Sequence, residues 1–118
     1  MKMDYCVLGT NNLDAAIKFY DSLFEKTEVN QVLSTDRMTF WQCEYFAFAV
    51  AIPFNEEPAS NGNGTKIVFN VGTTEEVKRL YSKVIELGGT CEGEPEQRGP
   101  KFSAYARDLD KNKIVFSE

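Results

Sequence analysis

A strand-like run closing in Gly-Thr and leading into an amphipathic helix occurs twice in this chain. The first copy runs from Asp4 through Gly9-Thr10 into Leu13, and the second from Lys66 through Gly72-Thr73 into Val77. The helical stripes that follow align residue by residue: Ala16, Phe19, Tyr20 and Leu23 correspond to Val77, Leu80, Tyr81 and Val84. That spacing buries one face of a helix. Repetition at roughly 60 residues signals duplication of one supersecondary unit. The chain has 118 residues, so the two copies together make one domain of ordinary size.

Each copy reads as strand, helix and three strands. In the first, Asn11 or Asn12 caps the helix, and Asp14 suits its first turn. Extended runs follow at Val29 to Ser34, Arg37 to Gln42 and Tyr45 to Ile52. In the second run, Met38, Phe40 and Gln42 share one face, and Thr39 and Trp41 the other. The third run is apolar on both faces, with Phe46, Phe48, Val50 and Ile52 against Ala47, Ala49 and Ala51. A strand covered on both sides explains such a run, and its small-residue face leaves room above it. Residues 55–64 are polar and rich in turn formers, which marks a linker. In the second copy Thr73 and Glu76 form a capping box, and Gly88-Gly89 ends the helix. Strands are expected near Thr90 to Cys91, Phe102 to Arg107 and Lys113 to Phe116.

The expected fold is α+β: two βαβββ modules, about residues 1–54 and 65–118, forming an open curved mixed sheet with the helices outside and a central cleft. Each module alone leaves one sheet face uncovered.

Composition narrows the function classes. The net charge is −5 and no basic run occurs, which argues against nucleic acid. No apolar run approaches the roughly 20 residues of a membrane span, and the N-terminus carries no signal-peptide core. Three cysteines without a CxxC pair read as free thiols of a cytoplasmic protein. There is no histidine, which removes the commonest general base and transition-metal ligand together.

Three stretches carry a family resemblance. They are Leu8 to Leu13 with the helix behind it, Asn61-Gly62-Asn63-Gly64-Thr65-Lys66, and Gly99 to Asp108 with Asp110-Lys111-Asn112-Lys113-Ile114. In order and spacing they resemble the vicinal oxygen chelate superfamily, which includes glyoxalase I, bleomycin-resistance proteins and extradiol dioxygenases. The likeness spans nearly the whole chain. It implies paired modules, homodimers and a divalent metal in the cleft. In metal-dependent members a histidine stands about where Tyr5 is, a second where Lys66 is, and a glutamate where Val115 is. The remaining ligand comes from the fourth strand, here Phe46 to Phe54, which has no donor side chain. The expectation is therefore that the metal site is lost and no cofactor is held.

The residues themselves leave several roles open. Lys66 reads as a cation holding an anionic group, as an amine of lowered pKa acting as base or nucleophile, or as a strand-start lysine reaching to solvent. Tyr5 reads as a hydrogen-bond donor to a ligand or as an aromatic filling the place of the metal. Trp41, Phe102 and Tyr105 read as core or interface packing, or as a stacking wall for a ligand. Together with Val115 these are the candidate cleft residues. The leading expectation is a metal-independent small-molecule-binding protein of the glyoxalase/bleomycin-resistance type, homodimeric, with its ligand in the cleft between modules. The alternative is a lyase or dioxygenase-type enzyme using Lys66 and Tyr5 in place of a metal. The acidic balance favours cationic or neutral ligands at long range, whereas Lys66 favours an anionic group at the bound end.

Overall fold

The computed structural model describes residues 1–118. Two units, Met1–Ser60 and Asn61–Glu118, each hold their own helix and sheet. The first unit contains β1 (Cys6–Gly9), α1 (Leu13–Phe24), β2 (Asn30–Ser34), β3 (Met38–Gln42) and β4 (Ala47–Ala51). The second contains β5 (Ile67–Asn70), α2 (Thr74–Glu86), β6 (Thr90–Arg98), β7 (Lys101–Arg107) and β8 (Lys113–Ser117). The strands bond as two mixed four-stranded sheets, ordered β1-β4-β3-β2 and β5-β8-β7-β6. In each unit the last strand lies inside the sheet, parallel to the first strand and antiparallel to the third. This is the α+β class with paired βαβββ modules that the repeat implied.

In the first unit α1 starts on Asn12, whose Oδ1 accepts a hydrogen bond from the Ala15 amide at 3.0 Å. Its neighbour Asn11 has a different task. Its side chain accepts from the Ala59 amide at 2.7 Å and donates to the Ala59 carbonyl at 3.3 Å, fastening the end of the linker to the β1–α1 turn. The buried face of α1 consists of Ala16, Phe19, Tyr20, Leu23 and Phe24. It packs on Phe48 of β4 and Trp41 of β3. The Tyr20 ring centroid lies 4.9 Å from Phe48 and 5.7 Å from Trp41. Burying side chains of this size contributes about 1.5–3 kcal/mol each. The indole of Trp41 is fully buried, so its N–H must find an acceptor. It donates to Oδ1 of Asp21 on α1 at 2.9 Å, and Gln31 of β2 donates to the same carboxylate.

The second unit repeats the plan with smaller side chains. Val77, Leu80 and Val84 of α2 form the buried stripe. Thr73 Oγ1 accepts from the Glu76 amide at 3.1 Å, which is half of the expected capping box. The other half is absent because the Glu76 carboxylate is held by Arg79 at 2.6 and 2.7 Å. At the C-terminus Gly88 takes φ +100°, the Gly88 amide donates to the Ile85 carbonyl, and the Gly89 amide donates to the Val84 carbonyl at 2.9 Å. This is the paired closure of a Schellman motif.

Strand β6 extends to Arg98, well past the two residues expected at Thr90-Cys91. Gly93 and Pro95 argue for an early stop. The strand tolerates them because it lies at the sheet edge and shifts register between Cys91 and Gly93 and again between Gly93 and Glu96. Before β8 the chain turns through Asp108 to Asn112. Buried Asp108 accepts from the amides of Asp110 and Asn112, both at 2.9 Å, and from the Asn112 side chain at 3.1 Å. Cys6, Cys43 and Cys91 are all free thiols.

Gly89 admits no side chain. A Cβ there meets the Arg107 carbonyl and Val84 Cγ1, each at 2.5 Å. We predict that Gly89→Ala lowers unfolding stability by about 1–3 kcal/mol, the usual consequence of overpacking. Equilibrium denaturation checks this, and a variant of wild-type stability refutes it.

Candidate functional site

One helix covers one face of each sheet, and residues paired across neighbouring strands lie on a common face. In the first unit Cys6 and Leu8 therefore face α1 with Phe48 and Val50. The opposite face carries Val7, Ala49, Phe40 and Leu33 in one row across β1, β4, β3 and β2, with Ala51 and Met38 beside it. Tyr5 immediately precedes β1 and reaches the same side. Its ring meets Phe40 edge-on at 5.0 Å and is 47% exposed.

The open face of the second sheet is chemically different. Val68, Val115 and Tyr105 form its middle row, and Asn70, Ser117 and Ser103 the next. The Tyr105 ring holds two cations. Lys66 Nζ lies 5.3 Å from its centroid and the Arg98 guanidinium carbon 5.2 Å. The guanidinium also donates to the Ser103 carbonyl and, at 2.8 Å, to the Glu94 carbonyl. Gly93 makes room for it, since a Cβ there lies 2.8 Å from Arg98 Nη2. On the third row Arg107 and Lys113 are directly paired. Arg107 donates to Glu92 at 2.7 Å and to the Lys111 carbonyl at 2.9 Å.

Four of the six candidate residues thus lie on open faces: Tyr5 in the first unit, and Lys66, Tyr105 and Val115 in the second. Trp41 and Phe102 point the other way. Trp41 is bonded to Asp21 beneath α1, and Phe102 carries Lys78 of α2 at 5.6 Å. Arg98 is a member of the Tyr105 cluster that sequence reasoning passed over, because β6 was not expected to reach it. The signal available was the alternation of Arg98, Glu96 and Glu94 along one extended run. Two cavities lie in the first unit. One of about 270 Å³ is bounded by residues 2–4 and 42–47, and one of about 160 Å³ lies beside Asp21 and Trp41.

The positions that the family resemblance assigns to a divalent metal hold a phenol at Tyr5, an ammonium at Lys66 and an isopropyl group at Val115. On the open face of β4 stand the methyl groups of Ala47, Ala49 and Ala51. Nowhere do three His, Cys, Asp or Glu side chains gather as a metal-binding group. This donor set does not fit a divalent cation, which needs several oxygen, nitrogen or thiolate ligands converging on it.

Charge states near the site follow from contacts. The Arg107 guanidinium holds the Glu92 carboxyl below the usual carboxylate range, first by its hydrogen bond and then by its charge, with Lys113 adding to the effect. Away from the open face, a hydrogen bond to Cys91 together with burial pushes the Tyr81 phenol up to about 12. Burial raises the Cys6 thiol, so it is a poor nucleophile at neutral pH.

The family model described as Glyoxalase/Bleomycin resistance protein/Dioxygenase superfamily matches residues 2–116. A glyoxalase/bleomycin resistance protein from Albidiferax ferrireducens is 31% identical, covers 98% of this chain and 96% of its own, and superposes with a TM-score of 0.89. Two more distant structures share the fold. Lactoylglutathione lyase from Agrobacterium tumefaciens is 22% identical, with 99% and 92% coverage and a TM-score of 0.75. Fosfomycin resistance protein FosX from Listeria monocytogenes, solved with Mn(II) and sulfate, is 17% identical, with 98% and 87% coverage and a TM-score of 0.73. No curated protein matches the sequence. No helix is long and apolar enough to cross a membrane.

The Glu92–Arg107 pair has a defined pH signature. Because the folded value is depressed, its contribution is present above the ordinary carboxylate value of 4.5 and is lost as pH falls through the lower folded value. Wild type is therefore predicted to be more stable than Glu92→Gln at neutral pH, with the gap closing below pH 4.5. Denaturation of both proteins between neutral and acid pH checks this, and a gap independent of pH contradicts it.

Proposed function

Because the chain belongs to the Glyoxalase/Bleomycin resistance protein/Dioxygenase superfamily, we propose that it binds a small molecule and does so without a metal. The observation carrying this reading is that the positions which the family resemblance assigns to a metal hold Tyr5, Lys66 and Val115, with alanines on the matching face of β4. A phenol on one sheet and an ammonium on the other, each bordering apolar side chains of its own unit, suit recognition of an organic ligand. They supply a hydrogen-bond donor, a charge and area for apolar contact. The proposed contacts on the second sheet are Lys66 and Tyr105, with buried Val115 packed beside them; Tyr5 is the proposed contact of the first sheet, taken by itself. Trp41 and Phe102 act in this reading only as the packing that holds their strands, since both side chains face the helices. The working species is proposed to be a homodimer.

Placement of Lys66 on the face of Tyr105 favours binding over covalent chemistry, because the contact engages a cation. An enzyme of lyase or dioxygenase type, using Lys66 and Tyr5 in place of a metal, is the competing reading. It predicts turnover that disappears in Lys66→Ala.

Elemental analysis of the purified protein is expected to find no stoichiometric metal. Its melting temperature is expected to stay constant on adding zinc, nickel, manganese or iron, and on adding EDTA. A ligand that binds only the folded state, at about one hundred times its Kd, should stabilise by about 2.7 kcal/mol. One tightly held metal ion per chain refutes metal independence.

A further inference from the structure

The open face of the second sheet carries a charge arrangement that a folded protein does not keep for its own stability. Arg107 and Lys113 are directly paired on β7 and β8. The parallel register of β5 on β8 matches Ile67 with Ile114, so one residue earlier Lys66 comes level with Lys113. Alternation puts all three on the face of Val68, Val115 and Tyr105. Three cations therefore stand in one row across three neighbouring strands. Like charges paired directly across a sheet are unfavourable. The only carboxylate bonded to the row is Glu92, at 2.7 Å from Arg107. Neither Lys66 nor Lys113 forms a salt bridge. One carboxylate, bonded to Arg107 and also within reach of the Lys113 charge, answers three cations, in a chain whose net charge is −5.

The row borders apolar surface. Val68 is 51% exposed, and the Tyr105 ring lies beneath Lys66. Cationic heads next to an apolar and aromatic strip match a ligand with an oxyanion at one end and a carbon skeleton at the other. We propose that Lys66, Lys113 and Arg107 form a seat for the carboxylate or phosphoryl group of a small organic anion, whose body lies on Val68 and Tyr105. This deepens the small-molecule reading above and rests on it. Lys66 and Lys113, neither of them in a salt bridge, supply the charge open to a ligand. Arg107, already engaged by Glu92 and by the Lys111 carbonyl, adds field and fixes Glu92 away from the ligand. Oxyanions that accept charge-assisted hydrogen bonds from two ammonium groups bind far more strongly than neutral isosteres.

Thermal denaturation at low ionic strength with EDTA tests the seat, using benzoate and phenyl phosphate as the two anion arms and benzyl alcohol and benzylamine as neutral and cationic counterparts. Wild type is expected to be stabilised saturably by at least one anion and by neither counterpart. The preferred arm identifies carboxylate or phosphoryl as the natural head group. Lys66→Met and Lys113→Met are each expected to weaken that anion about tenfold or more, whereas Lys18→Met on α1 leaves it unchanged. Anion binding that survives both substitutions overturns the seat, as does the absence of any anion effect. Binding of benzyl alcohol or benzylamine instead, indifferent to both substitutions, overturns the seat while small-molecule binding stands. A stoichiometric metal in untreated protein overturns the metal-free reading itself, whatever the anions do.

Discussion

A single helix lying on a four-stranded sheet covers one face and leaves the other to find a different use. Here that constraint acts twice. In the first unit the packing of Tyr20 and Phe24 against Phe48 and Trp41 decides which face is covered, and the Trp41–Asp21 hydrogen bond ties the helix to the third strand. The indole cannot leave this position without stranding a buried donor. With the helix held there, the alanine face of β4 and the Tyr5–Phe40 pair remain on the other side. In the second unit the aliphatic stripe of α2 and the Schellman closure at Gly88-Gly89 do the same work, and they leave the Tyr105 face open.

Strand order then determines which chemistry meets on those faces. Placing the last strand of each unit inside the sheet pairs it with the first strand and the third at once. This brings Lys66, which precedes β5, level with Lys113 on β8 and Arg107 on β7, residues far apart in the chain. The same order places Val115 between Val68 and Tyr105. In the second unit this strand order brings cations and an aromatic ring onto one face.

Much of this was legible from the residues. The helical stripes, the Thr73 cap and the glycine stop depend on neighbours within a turn or two, so local spacing reports them directly. The difference between the phenylalanine–valine and alanine faces of β4 follows from alternation alone. Other features were not legible. Asn11 and Asn12 are equivalent as caps until the linker arrives at Ala59 and claims one of them. Half of the capping box is lost because Glu76 finds Arg79 closer to hand. Strand β6 runs through Gly93 and Pro95 because it is an edge strand, and edge position is a property of the whole sheet.

By itself, then, the amino-acid sequence determined the duplicated βαβββ plan, the buried stripes of both helices and the glycine stop of α2. Each of these depends on local periodicity or on side-chain identity. The tertiary structure alone decided that Trp41 and Phe102 face the helices while Tyr5, Lys66 and Tyr105 lie on the uncovered faces with Val115 buried among its neighbours there, and that three cations stand in one row. Alternation tells which residues of a strand share a side, but not which side the helix will cover. Register between distant strands is set by packing that forms only when the whole sheet assembles.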